Sequence, residues 1–145
     1  MPMVDIMTRL NNGERLLLDG GMGSEIRRRS DEVNRLSVTI DDPDLVREIH
    51  DDYLRAGADI ITTNTFASGR VTLEANGPSG ATMEEYNRRA TEIAREERDR
   101  LRPDGFVAGS ISIPRGKQRA SGVGSKQTWE DYRTQSAVLA DAGVD

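Results

Sequence analysis

Three short apolar runs in this chain each end on residues able to hold a polar ligand. Leu16-Leu17-Leu18 ends on Asp19, Ile60-Ile61-Thr62 ends on Thr63-Asn64, and Phe106-Val107-Ala108 ends on Gly109-Ser110. A carboxylate suits a cationic group such as an ammonium, while hydroxyl and amide side chains both donate and accept hydrogen bonds. Asp19 also opens the turn Asp19-Gly20-Gly21-Met22-Gly23-Ser24. Its glycines allow backbone N–H groups to gather around an anion, for instance an amino-acid carboxylate. The turn is not a Walker loop and contains no GxGxxG fingerprint. Each of these polar residues also suits a simple turn cap, so two readings stand open. His50 is the only histidine and lies beside Ile49 at the edge of an apolar helical face, which reads as structural. Arg27-Arg28-Arg29 reads as a solvated turn and Trp129 as a helix-packing residue. No catalytic residue and no metal ligand is assigned. The absence of cysteine removes disulfides, thiolate catalysis and every Cys-based metal site.

These residues need elements to position them. Arg15–Asp19 is bounded by glycines and reads as a buried strand, with Ser24-Glu25-Ile26 opening a short helix. Residues 27–40 show no clear period and read as a long solvated loop. Asp42-Pro43 is a helix start, because Asp42 can cap free N–H groups and proline has no N–H to leave unpaired. Leu45, Val46, Ile49, Tyr53 and Leu54 then recur at helical spacing until Gly57. Asp59–Thr63 reads as a second strand. A short helical piece is expected around 71–75. Thr82-Met83-Glu84-Glu85 matches a capping box, and the helix behind it turns Tyr86, Ala90, Ile93 and Ala94 inward. Pro103-Asp104-Gly105 breaks that helix before a third strand over 106–111. Residues 114–126 form a polar loop. Thr128 with Asp131 reads as the cap of a last helix that Gly143 closes.

Alternating strands and helices imply a parallel sheet covered by helices, an α/β fold. In such folds the ligand side lies at the carboxyl ends of the strands, where Asp19, Thr63, Asn64 and Ser110 all sit. There is also an internal echo: Ala56-Gly57-Ala58-Asp59 leads into a strand, and Ala142-Gly143-Val144-Asp145 has the same form.

Composition excludes several classes. With 20 Lys+Arg against 25 Asp+Glu the net charge is −5, which argues against a nucleic-acid binder that needs a basic face. No apolar run approaches the roughly 18 residues of a membrane span. The N-terminus MPMVDIMTRL lacks a basic region followed by an apolar core. A cytoplasmic protein is expected. Residues 1–145 read as one partial domain, with 1–13 as a flexible N-terminus.

Several motifs in order resemble one family. Leu17-Leu18-Asp19-Gly20-Gly21-Met22-Gly23-Ser24-Glu25, Asp42-Pro43-Asp44-Leu45-Val46, His50 with Tyr53, Ala56 through Phe66, Val107–Ile111 and the final Ala142–Asp145 are similar to the homocysteine S-methyltransferases. The resemblance runs from about residue 14 to the end. It implies a TIM (β/α)8 barrel that moves a methyl group to the thiol of homocysteine, giving methionine. It implies S-methylmethionine, betaine or a methyl-folate-linked cobalamin as donor, and zinc to favour the thiolate. By position it implies that Asp19 and Gly20, with Gly21 beside them, meet the amino-acid end of homocysteine. Thr63 and Asn64 would lie on the pocket floor, and Gly109 and Ser110 would line the same rim.

The chain also departs from the family. A complete barrel takes roughly 250 residues, so about three βα units and an incomplete barrel are expected here. The zinc-binding cysteines of the later strands are missing, as is the acidic residue at the end of the fourth strand. Ser112-Ile113-Pro114-Arg115-Gly116 replaces a Gly-Pro turn, which bears on the donor side. The 145 residues alone are expected to be inactive and to bind no zinc. The other reading is a non-catalytic truncated α/β domain that pairs, through the open apolar edge of the third strand, with another copy or a complementary fragment.

Overall fold

The computed structural model describes residues 4–31, 34–112 and 126–145. Its elements run α1 (Ile6–Asn11), α2 (Met22–Arg29), α3 (Val38–Asp41), α4 (Pro43–Arg55), β1 (Ile60–Thr62), α5 (Arg70–Asn76), α6 (Met83–Leu101), β2 (Phe106–Ala108) and α7 (Lys126–Ala142). The strands β1 and β2 pair in parallel, with Ile60 opposite Phe106, Ile61 opposite Val107 and Thr62 opposite Ala108. A parallel bridge from Leu18 to Ile60 adds the first extended segment on the other side of β1. The α/β reading therefore holds.

Local chemistry explains the boundaries. The Asp42 carboxylate accepts from the Leu45 N–H at 3.2 Å, ahead of Pro43 in the first turn of α4. At α6 both halves of the capping box form: Thr82 Oγ1 accepts from Glu85 N–H at 3.1 Å, and the Glu85 carboxylate accepts from Thr82 N–H at 2.9 Å. Gly57 and Gly143 follow their helices at φ +104° and +96°, a conformation that disfavours any side chain.

Parallel neighbours in register point the same way. Ile61 and Val107 face the helices, closing a core with Leu54, Ala58 and Ala94. A second cluster joins Met22, Ile26, Val38, Val46, Ile49 and Ile93. A third joins Leu73, Met83, Tyr86 and Val138 across α5, α6 and α7. Leu18, Ile60 and Phe106 form the row on the opposite sheet face. There the Arg9 guanidinium sits 5.6 Å from the Phe106 ring centre, and Arg9 also donates to the Asp104 carbonyl at 3.0 Å. The residues read as a flexible N-terminus thus include a helix, α1, with Asp5 as its cap.

Five expectations are corrected. The strand at Arg15–Asp19 contracts to the single bridge at Leu18, because only β1 flanks it and the chain turns away at Gly20. The third strand covers only Phe106–Ala108 of the 106–111 expected. Residues 27–40 are not a solvated loop: α2 and α3 lie there, and Val38 and Thr39 are buried. These helices are too short, at eight and four residues, to show a clear period. Trp129 is 67% exposed rather than packed, and Thr128 lies within α7 rather than at its start. Residues 114–125 of the expected polar loop lie outside the described residues.

Candidate functional site

Asp19, Thr63, Asn64 and Ser110 all lie at carboxyl ends of neighbouring parallel segments. Asp19 N–H donates to the Ile60 carbonyl at 2.9 Å, continuing the ladder. One step on, the backbone leaves and the side chain takes over. The Asp19 carboxylate accepts from Thr62 N–H and from the Thr62 hydroxyl, each at 2.7 Å. Partial burial pushes the Asp19 carboxyl above the usual carboxylate range, and the two bonds from Thr62 oppose that shift.

Gly20 is fixed by Tyr53 of α4. A Cβ on Gly20 would lie 2.6 Å from the Tyr53 hydroxyl, so a side chain there would have to displace the Tyr53 ring. Gly21 is the N-cap of α2 and provides no side-chain cap. Gly20 and Gly21 are both exposed.

The residues after β1 point in two directions. Thr63 is only 2% exposed, and its hydroxyl lies 2.6 Å from that of Thr65 and accepts from the Ser110 N–H at 3.2 Å. Thr65 then donates to the Ser110 carbonyl at 2.8 Å. Thr63 and Ser110 are therefore brought together, but Thr63 ties one loop to the next instead of facing solvent. Asn64, between the two threonines, is half-buried. Its Nδ2 donates to the Thr39 hydroxyl at 3.0 Å and reaches the Tyr86 hydroxyl at 3.5 Å. Burial raises the Tyr86 phenol above its ordinary range. The Asn64 Oδ1 has no hydrogen-bond partner among the described residues.

Sequence reasoning missed Thr62, Thr39, Tyr53 and Tyr86 as parts of this constellation. The run Thr62-Thr63-Asn64-Thr65 carried a signal, since four polar residues seldom end a buried strand without reason. Thr39 carried none, because its segment read as solvent-exposed loop.

The described residues do not supply a zinc-ligand set. The sequence has no cysteine, and no group of three His, Cys, Asp or Glu side chains that could hold an ion occurs among the described residues. His50 is fully buried, and neither ring nitrogen has a hydrogen-bond partner. Burial alone lowers it to about 4, so it is neutral near pH 7. At the carboxyl ends of these segments lie the Asp19 carboxylate, the exposed Gly20-Gly21 turn and the half-buried Asn64 amide.

Comparison with known proteins places the chain in a family. The homocysteine S-methyltransferase family model matches residues 16–145. A selenocysteine methyltransferase of Astragalus bisulcatus is 30% identical, over 92% of this chain and 49% of its own length. The homocysteine S-methyltransferase of Escherichia coli is 29% identical, over 94% and 49% respectively. The crystal structure of the homocysteine methyltransferase MmuM from Escherichia coli, metallated form, superposes with a TM-score of 0.78 at 28% identity. It covers 97% of this chain and 55% of MmuM. The chain spans about half the length of the curated relatives it matches. By the family model and by the fold, this chain belongs to the homocysteine S-methyltransferase family.

Proposed function

We propose that these residues form the amino-acid-binding half of a methyltransferase pocket, the first three βα units of a (β/α)8 barrel, with homocysteine as the ligand. The observation that carries this reading is Asp19. Its carboxylate sits half-buried at the carboxyl end of the first segment, beside an exposed glycine turn and one strand away from the Asn64 carbonyl. A carboxylate and an amide oxygen suit the homocysteine ammonium. Backbone N–H groups of the Gly20-Gly21 turn and the uncapped start of α2 suit its carboxylate. Ser110 borders the same rim. Thr63 contributes by holding the loops in place rather than by touching the ligand.

Methyl transfer needs the thiolate, and zinc bound to the thiol would supply it. The sequence has no cysteine, and the described residues place no acid–base pair beside Asp19, so this reading assigns the activation step to groups other than these. Isolated, the chain is expected to bind homocysteine weakly and to transfer no methyl group.

Calorimetric titration of L-homocysteine and L-methionine tests the pocket. Asp19→Ala is expected to lower affinity about tenfold or more, the scale of a charge-assisted hydrogen bond. Affinity should also fall on acidification, beginning above the ordinary carboxylate range, because Asp19 must be ionised to hold an ammonium. Equal affinity in the variant would remove Asp19 from the site.

A second reading is supported by a separate observation. Leu17 and Leu18 are each 57% exposed at the outer margin of the sheet, a surface suited to self-association or to a complementary fragment.

A further inference from the structure

Behind the rim lies a buried polar cluster that the ligand reading does not use. Asn87 on α6 is fully buried. Its Nδ2 donates to the carbonyls of Met83 at 2.8 Å and Ser68 at 3.1 Å. Its Oδ1 lies 2.8 Å from the Ser68 hydroxyl and 3.1 Å from Gln135 Nε2. Gln135 on α7, also buried, donates to the Thr65 carbonyl at 3.1 Å, from 70 residues away in sequence. It also reaches the Ser68 hydroxyl at 3.2 Å, and Ser68 lies 2.8 Å from the Thr65 carbonyl. Thr65 passes the chain of bonds on to Thr63 and to Ser110.

Burying so many polar groups is costly unless each is paired. Apolar side chains would fill the space between two helices at lower cost. What the amides reach, and apolar groups could not, is loop backbone: the carbonyls of Thr65 and Ser68, and through Thr65 that of Ser110. Asn64 lies inside the stretch so held: Thr65 after it is tied to Gln135 of α7, and Thr63 before it is tied to Thr65 and to Ser110.

We propose that Gln135 and Asn87 are positioning residues of the pocket, fixing the loop from Thr63 to Ser68 so that Asn64 presents its amide oxygen at the rim. The consequence for ligand binding rests on the pocket reading above; the consequence for the loop does not. A ligand-independent readout therefore comes first.

Gln135→Met keeps length and volume but removes the donor. Ser68→Ala removes one hydroxyl with the least disturbance and serves if Gln135→Met fails to fold. Amide hydrogen exchange by NMR is compared at Thr65, Ser68 and Ser110 and at Ile93 and Ala94 in the core of α6. The expected result is exchange about tenfold faster at the loop amides with little change in α6. A shift of the Asn64 side-chain amide resonances should accompany it. Uniform acceleration at all five positions, or none, in the folded variants would overturn the proposal and leave the cluster as plain core structure.

Homocysteine titration then separates the two ideas. Weaker binding in the loosened variants supports the positioning role, and unchanged binding despite a loosened loop overturns it for Asn64. If the unmodified chain shows no homocysteine binding, the pocket reading falls, and the exchange data with the Asn64 signature decide the positioning claim alone.

Discussion

At the scale of single residues, His50 stands out because it is buried without a hydrogen bond. Its folded-state value of about 4 lies below the unfolded 6.5. Between those values the unfolded chain takes up a proton that the folded chain does not, so stability falls as pH drops through that window. The total is about 3 kcal/mol, reached near pH 4. Urea unfolding at pH 7.5 and pH 5 should show about 2 kcal/mol of this loss, and His50→Leu should flatten it. A variant that retains the same slope would assign the effect to other groups. His50 was legible in the sequence as structural, since it neighbours Ile49 on an amphipathic face. Asp19 was legible too, as the polar stop after three leucines. Asn87 and Gln135 were not: each sits in a helix where polar residues are common, and only the fold brings them to the loop at Thr65.

Elements show the same division. Caps could be read directly, because Asp42-Pro43 and Thr82 with Glu85 act within one turn of chain. The short helices α2 and α3 could not, since four to eight residues carry too little period and their burial comes from packing on α4 and α6. The repeated Ala-Gly-x-Asp segments illustrate a signal whose meaning is tertiary. The Asp59 N–H donates to the Leu17 carbonyl at 2.8 Å, and the Asp59 carboxylate accepts from the Leu17 N–H at 2.8 Å. Asp145 does the same with Val107, at 2.9 and 2.8 Å. Each aspartate also pairs with an arginine at the end of α6, Asp145 with Arg98 in its last turn and Asp59 with Arg102 at its C-cap. Asp59→Ala leaves a partly buried N–H and a guanidinium without their acceptor, and is expected to cost about 1–3 kcal/mol. Asp59→Asn keeps an acceptor for Leu17 and should recover part of that. Thermal unfolding measures both, and equal melting temperatures for wild type and Asp59→Ala would deny the clasp any role.

For the whole molecule, the α/β class and the parallel order followed from the alternation of patterns, while the extent of the sheet did not. The structure pairs three extended segments, the outermost through a single bridge, and leaves Leu17 and Leu18 exposed. Size-exclusion chromatography with light scattering is expected to give a mass that rises with concentration. Leu18→Lys should suppress that rise by placing a charge on the margin. A constant monomer mass at high concentration would count against association through this edge. No helix among the described residues is long and apolar enough to cross a membrane.

Asp145 is held by Arg98 in the last turn of α6, and Asp59 by Arg102, the C-cap of the same helix. Asp59 precedes β1 and clasps Leu17, while Asp145 clasps Val107 of β2. The lengthwise stagger of these segments is thus set at the end of one helix as well as in the strands, which are only three residues long. Because stagger governs how steeply strands slant around a cylinder and how wide that cylinder becomes, the end of α6 acts as a ruler for curvature. Moving either arginine by one position along the chain would retune the slant without altering a single strand residue.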